Sequence, residues 1–289
     1  MTGAETVETT PGDLTPYSRL DEVLVDHAHG LRDAVGGNFV GLYLSGSLAI
    51  GDFDLTSDVD LIAVTEDELD DDQVARVQAA HTATLSRDTR WVKHLEYAFF
   101  SMQKLFDKTS PYGPDGRRID SEDRKLWYFV NGSPTIEKSD HDNLIVARWT
   151  LRYRSRPVLG PEPATFAPEV TADELRREIR SSMLGWEKLV HTDPGQFDNR
   201  FHQVFMVLNN CRALQDLHEG RITSKREGMT WAKRHIDGEW HPLIDYCWRE
   251  RQDTGISVAQ PADREAFRQT IAFIEYTTRL AEAYRLADA

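Results

Sequence analysis

Leu42-Tyr43-Leu44-Ser45-Gly46-Ser47, followed after ten intervening residues by Asp58-Val59-Asp60-Leu61, is the stretch on which the fold turns. The run Phe39–Leu44 is rich in strand formers, and Gly46 and Ser47 fall where that strand ends and the chain must turn. A glycine there lets backbone N–H groups approach a phosphate, and the serine hydroxyl adds a donor. Residues 59–64 form a second short apolar run. Asp58 and Asp60 are two apart on it, so both carboxylates project from one face. Two hard oxygen ligands side by side suit Mg²⁺ bound to triphosphate oxygens. A Gly-Ser pair and an Asp-x-Asp are each common alone; in the order strand, loop, strand they are much more specific.

Outward from this stretch, Leu20, Val23, Leu24, Leu31 and Val35 recur at helical spacing over residues 17–35, and Gly36-Gly37 stops that helix. A helix is expected over 73–86 and a third strand over 91–100. The order helix, strand, loop, strand, helix, strand implies a small mixed sheet flanked by helices. Four prolines and Gly160 fall within 157–168, which reads as an interdomain connection entered from a helix over 139–155. Beyond it the chain is helical. Thr171 and Glu174 predict a capping box for a helix running to His191. Phe201, Val204, Phe205, Leu208, Cys211 and Leu214 share the face of the next helix, which Gly220 ends. Helices are expected over 225–234, 243–251 and 262–286. The fold class is α+β: a disordered tail over 1–16, a sheet-containing N-terminal domain over 17–157, and a C-terminal α-helical bundle domain over 158–289.

The 289 residues are 40% hydrophobic and 28% charged, the make-up of a soluble globular protein, with a net charge of −14. That charge argues against duplex nucleic acid as a partner, because phosphate binding needs a basic surface, and suits a cationic small molecule. Cys211 and Cys247 are too few for a disulfide framework and lack zinc-site spacing. The polar, acidic first residues are unlike a signal peptide, and no apolar run reaches the ~20 residues that cross a bilayer, so no membrane association is expected and the location is cytoplasmic. GxxxxGK[ST], HExxH, GxSxG and GxGxxG are all absent.

The Gly-Ser, ten-residue, Asp-x-Asp pattern resembles that of the nucleotidyltransferase superfamily. Further along, Val158-Leu159-Gly160-Pro161, then Leu208, Cys211-Arg212, Gly220-Arg221-Ile222, Ser224-Lys225 and Trp231, are similar to the aminoglycoside adenylyltransferases that modify streptomycin and spectinomycin. The resemblance implies that the N-terminal domain is a nucleotidyltransferase domain. It implies that Gly46, Ser47 and Lys225 contact the nucleotide, that Asp58, Asp60 and Glu96 bind Mg²⁺, and that Glu96 is the catalytic base. Glu96 stands in His94-Leu95-Glu96-Tyr97, on the strand after the aspartates. Asp193, Asp198 and His202 match the start of the helix that meets the cationic acceptor, although His202 stands where the family carries a carboxylate.

The implied activity is Mg²⁺-dependent transfer of AMP from ATP to a hydroxyl of an aminoglycoside-type acceptor, with release of pyrophosphate, by a monomer working in an interdomain cleft. The departure at His202 leaves a protein, a tRNA end or another metabolite open as acceptor. A nucleotide-binding module without turnover is the reading of a different class.

Overall fold

The computed structural model describes residues 6–8 and 14–286. They form two compact units. The α/β unit comprises residues up to Phe53, Ser57–Pro111 and Asp120–Val170; the helical unit comprises Asp54–Thr56, Tyr112–Ile119 and the chain from Thr171 onward.

The α/β unit holds strands β1 (Thr6–Glu8), β2 (Phe39–Leu44), β3 (Val59–Thr65), β4 (Leu95–Ser101), β5 (Leu126–Phe129), β6 (Glu137–Ser139) and β7 (Pro157–Pro161). Its helices are α1 (Ser18–Val35), the short α2 (Gly46–Ile50), α3 (Asp71–Leu85), α4 (Met102–Phe106) and α5 (Ile145–Tyr153). The sheet order is β1-β7-β2-β3-β4-β5-β6, with β3 and β4 parallel and every other neighbouring pair antiparallel. Alternation gives the sheet two apolar faces. Leu61, Ala63, Tyr97 and Phe99 pack with Leu20, Leu24 and Leu31 of α1 and Val77 of α3. Ile62, Val64, Ala98 and Phe100 pack with Leu105 of α4 and Leu151 of α5. Each such side chain contributes about 1.5–3 kcal/mol on leaving water. That burial, on both faces, holds β3 and β4 in place.

The helical unit contains α6 (Ala172–Thr192), α7 (Pro194–Phe197), α8 (Arg200–Glu219), α9 (Lys225–His235), α10 (His241–Glu250) and α11 (Arg264–Ala283). Capping boxes start α6 at Thr171/Glu174 and α9 at Ser224/Glu227, and Gly220 at φ 67° ends α8. The apolar stripe of α8, with Val204, Leu208 and Cys211, meets Ala232, Leu243, Ile244, Cys247 and Phe273 in the core. Both cysteines are free and buried. No helix among the described residues is long and apolar enough to cross a membrane.

Three expectations change. The expected junction at 157/158 falls inside the α/β unit, because Pro157–Pro161 is strand β7, paired to β2 on one side and β1 on the other. Pro157 and Pro161 stand at the strand's two ends, where prolines are tolerated. Part of the expected tail is ordered: Thr6–Glu8 pairs with β7, and Leu14 and Thr15 are buried, with the Asp21 carboxylate accepting from both of their N–H groups. Residues 1–5 and 9–13 of that tail lie outside the described residues. The third strand starts at Leu95 instead of 91, because Thr89 caps a 3₁₀ turn over Arg90–His94.

Two buried histidines make the α/β core acid-sensitive. His27 Nδ1 lies 2.9 Å from Thr84 Oγ1, and its Nε2 meets no partner among the described residues. Burial, then the neighbouring His81, pushes its pKa down to about 3. His81, stacked on Phe129, is lowered by burial as well. In the unfolded chain a histidine titrates near 6.5. The unfolded state therefore takes up protons first, and stability that is complete above pH ~6.5 drains away as pH falls toward 3, at about 1.4 kcal/mol per pH unit for His27. A pH series of melting temperatures should fall steeply between pH ~6.5 and ~4, and His27→Phe should flatten that slope; an unchanged slope would clear His27.

Candidate active site

Each half of the Gly-Ser and Asp-x-Asp motif is placed by the β2–β3 pairing. Ser45 N donates to the Asp60 carbonyl at 2.8 Å, tying the end of β2 to β3. Gly46 then opens α2 at φ 49°, a left-handed value that favours glycine. A Cβ on Gly46 would lie 1.9 Å from Asp60 Oδ2, so the backbone here runs directly against the Asp60 carboxylate. Ser47 follows in the first turn of α2. Asp58 stands one residue before β3, half-exposed, with Oδ1 3.6 Å from His94 Nδ1. Asp54, in the loop between the motif's halves, belongs to the helical unit, where it pairs with Arg251 at 2.6 Å. Burial alone would raise its pKa, but the hydrogen bonds from Arg251 and Thr56 bring it down to about 2.

The decisive geometry is the register of the parallel pair. Asp60 stands opposite Glu96, so their side chains leave the same face of neighbouring strands about 4.8 Å apart. The predicted carboxylates of two distant segments are thus adjacent. Glu96 is mostly covered, with 17% of its side chain exposed. It accepts a hydrogen bond from the Tyr128 hydroxyl of β5 and has His141 Nε2 3.8 Å from Oε1. Burial raises the Glu96 pKa. The Tyr128 hydrogen bond and His141 oppose that rise, while Asp142 and Asp58 add to it. Asp142 is itself pushed up to about 7 by burial.

Donor atoms of Glu96, His141 and Asp142 all lie within 4.8 Å of one another, the one such His/Cys/Asp/Glu group among the described residues. Asp58 and Asp60 are outside that compact set, with Asp58 turned toward His94. The sequence reading missed Tyr128, His141 and Asp142. Tyr128 sits on a four-residue strand with no clear period, and His141-Asp142 lies in a turn fixed by long-range bonds. There, Asn143 Nδ2 donates to the Arg124 carbonyl at 2.6 Å, and Arg124 Nη2 donates to the Asn143 carbonyl at 2.6 Å.

A set of hard carboxylate oxygens, two of them in register, with a left-handed turn against one, fits a divalent cation of the Mg²⁺ type. A carboxylate whose pKa is raised by burial is also suited to accept a proton.

The remaining predicted residues lie in the helical unit. Lys225 is the first residue of α9, its ammonium 5.4 Å from the Phe205 ring centroid. Asp193 and Asp198 are exposed at the two ends of α7. His202 is engaged locally: its N–H donates to Asn199 Oδ1, its Nδ1 lies 2.9 Å from Asn199 Nδ2, and Phe197 and Phe201 flank the ring. Its pKa is lowered by burial.

Residues 166–276 match the family described as "Aminoglycoside adenylyltransferase, C-terminal domain". The spectinomycin 9-adenylyltransferases of two Staphylococcus aureus strains, Mu50 and N315, are each 26% identical over 223 residues, covering 74% of this chain and 78% of theirs. The fold is similar to that of the crystal structure of spectinomycin adenyltransferase AAD(9) from Enterococcus faecialis with ATP and spectinomycin, at a TM-score of 0.65 and 15% identity over 90% of this chain and 99% of that one. The family match and the two relatives make the chain similar to aminoglycoside adenylyltransferases, as the motif resemblance implied, and the solved structure shows a shared fold.

The Gly46–Asp60 approach yields a direct test. Gly46→Ala should weaken Mn²⁺ or Mg²⁺ binding at least about tenfold, since the new methyl displaces the Asp60 carboxylate. A solvent-facing turn can relax, so the melting temperature should fall by only a few degrees, at about 2–4 °C per kcal/mol. Cation binding equal to that of the parent would show that Asp60 is not held by this turn.

Proposed function

We propose that the protein transfers AMP from ATP to a hydroxyl of an aminoglycoside-type acceptor of the streptomycin or spectinomycin kind, releasing pyrophosphate, with Mg²⁺ as cofactor. The in-register pairing of Asp60 with Glu96, beside the Gly46 turn, carries the proposal. The names of the Staphylococcus aureus relatives and the C-terminal family match support the acceptor class.

Asp58, Asp60 and Glu96 are the residues that would hold Mg²⁺. When bound, the ion offsets charge on the triphosphate and on the leaving pyrophosphate. The Gly46 and Ser47 turn contacts the phosphates with backbone N–H groups and the serine hydroxyl, and Lys225 is the lysine that the family resemblance assigns to the nucleotide. The acceptor oxygen attacks the α-phosphorus. A new O–P bond forms, the bridging P–O bond to the β-phosphate breaks, and its electron pair leaves with pyrophosphate. The acceptor's proton passes to Glu96, whose carboxylate the Tyr128 hydroxyl holds in place.

The experiment is incubation with ATP, Mg²⁺ and streptomycin or spectinomycin, followed by mass spectrometry and a pyrophosphate assay. The expected product is the drug heavier by one adenylyl group. Glu96→Gln should lower kcat by roughly 10²–10⁴-fold with ATP still bound, the usual loss when a general base is removed. Asp60→Ala should abolish turnover in a folded protein. No product with any aminoglycoside removes the drug from the proposal, and ATP binding without turnover, indifferent to both substitutions, would favour a nucleotide-binding module.

One observation favours a second acceptor class. His202 spends its ring on Asn199 and the two flanking phenylalanines, where the family resemblance expects a carboxylate for a cationic drug. Labelled nucleotide appearing on a protein, a tRNA end or another metabolite in lysate, and not on drugs, would identify that alternative.

A further inference from the structure

The turn before α5 brings to Glu96 two further donors that the transfer step leaves unused. His141 Nε2 lies 3.8 Å from Glu96 Oε1 and 4.0 Å from Asp142 Oδ1, and all three donor atoms fall within 4.8 Å of one another. A triangle of that size has its centre no more than about 2.5 Å from each corner, a few tenths of an ångström beyond the bond lengths of Zn²⁺ to imidazole and carboxylate. His141, with 62% of its side chain exposed, can close that difference by a small rotation. All three residues belong to the α/β unit.

The donors are held from separate directions. Glu96 leaves β4 with its carboxylate bonded by the Tyr128 hydroxyl of β5. The turn that carries His141 and Asp142 is tied down at the next residue. Asn143 Nδ2 donates to the Arg124 carbonyl, the Arg124 guanidinium donates back to the Asn143 carbonyl at 2.6 Å, and the Arg148 guanidinium donates to Asn143 Oδ1 at 2.7 Å. Arg124, Asn143 and Arg148 are all buried. Within the turn, the Leu144 N–H donates to the Asp142 carbonyl at 2.8 Å and the His141 N–H to Ser139 Oγ at 3.1 Å. Fixed partners behind the ligands are what orient a metal site before an ion arrives.

The charge of Asp142 is poorly answered by this arrangement. Among the described residues no group donates a hydrogen bond to its carboxylate, and its ion-pair partner is the His141 imidazole at 4.0 Å. Two partly covered carboxylates thus meet one imidazole, so a positive charge between them is favourable. Oxygen ligands alone suit Mg²⁺; an imidazole among them shifts the preference to borderline ions such as Zn²⁺. Asp58 turns toward His94 and lies outside the set, as does Asp60, so the three donors are distinct from the aspartate pair.

We propose that Glu96, His141 and Asp142 form a site for a borderline divalent cation of the Zn²⁺ class, with water completing the coordination on the exposed side. The site shares Glu96 with the Mg²⁺ set but does not rest on the transferase reading, since neither nucleotide nor acceptor takes part. The test is calorimetric titration of the full chain with Zn²⁺ in nucleotide-free buffer containing excess Mg²⁺. Saturable binding is expected, and His141→Gln and Asp142→Asn should each weaken it at least about tenfold. The Asp58→Asn/Asp60→Asn double variant should keep its Zn²⁺ affinity within about threefold of the parent's. Zn²⁺ should also raise the melting temperature of the parent and not that of His141→Gln, which without Zn²⁺ should melt as the parent does because His141 is exposed. No saturable binding, parental affinity in a folded His141→Gln chain, or binding lost only in the aspartate double variant would overturn the proposal.

Discussion

The parallel pairing of β3 with β4 is the constraint on which the candidate site depends. It sets Asp60 beside Glu96. The Tyr128 hydroxyl and His141 meet Glu96, and His94 approaches Asp58. The strands stay paired because Leu61, Ile62, Ala63 and Val64, with Tyr97, Ala98, Phe99 and Phe100, are buried on both faces. Apolar burial in mid-strand thus holds the end that carries Asp60 and Glu96 in a fixed geometry.

The strands of the sheet were legible in different ways. Phe39–Leu44 and the start of β3 follow from apolar runs bounded by glycine and polar turns. The nearness of Glu96 to Asp60 does not follow from spacing, because they are 36 positions apart and any of several registers satisfies the hydrophobic pattern; it came from the family resemblance. Strands β5 and β6 are four and three residues long, too short for a period to emerge. Strand β7 was hidden by its own prolines, which read as linker until their place at the strand's ends is known.

In the helical unit local chemistry said more. Ser224 with Glu227, Thr171 with Glu174, and Gly220 mark helix ends through hydrogen bonds among near neighbours, and the structure has all three. What such local rules cannot supply is the use to which a polar side chain is put. His202 was a candidate for the acceptor because of where it falls on α8, yet Asn199, three residues earlier, takes both its N–H and its ring nitrogen. Asp142 shows the reverse case: nothing nearby in the sequence distinguishes it from other acids, and its influence on Glu96 comes from the fold alone.

The same ladder also sorts polar side chains between the two faces. Even-numbered positions of β3 and β4 bring Asp60 and Glu96 to one face, and odd-numbered positions bring Thr65 and Ser101 to the other. A slip of one residue in one strand alone would turn its partner's neighbour over, separating Asp60 from Glu96 and Thr65 from Ser101 together. The unbroken register from Val59↔Leu95 to Thr65↔Ser101 is therefore constrained at both ends as well as by the core between them. The apolar layers on the two faces of the sheet hold that register along its whole length.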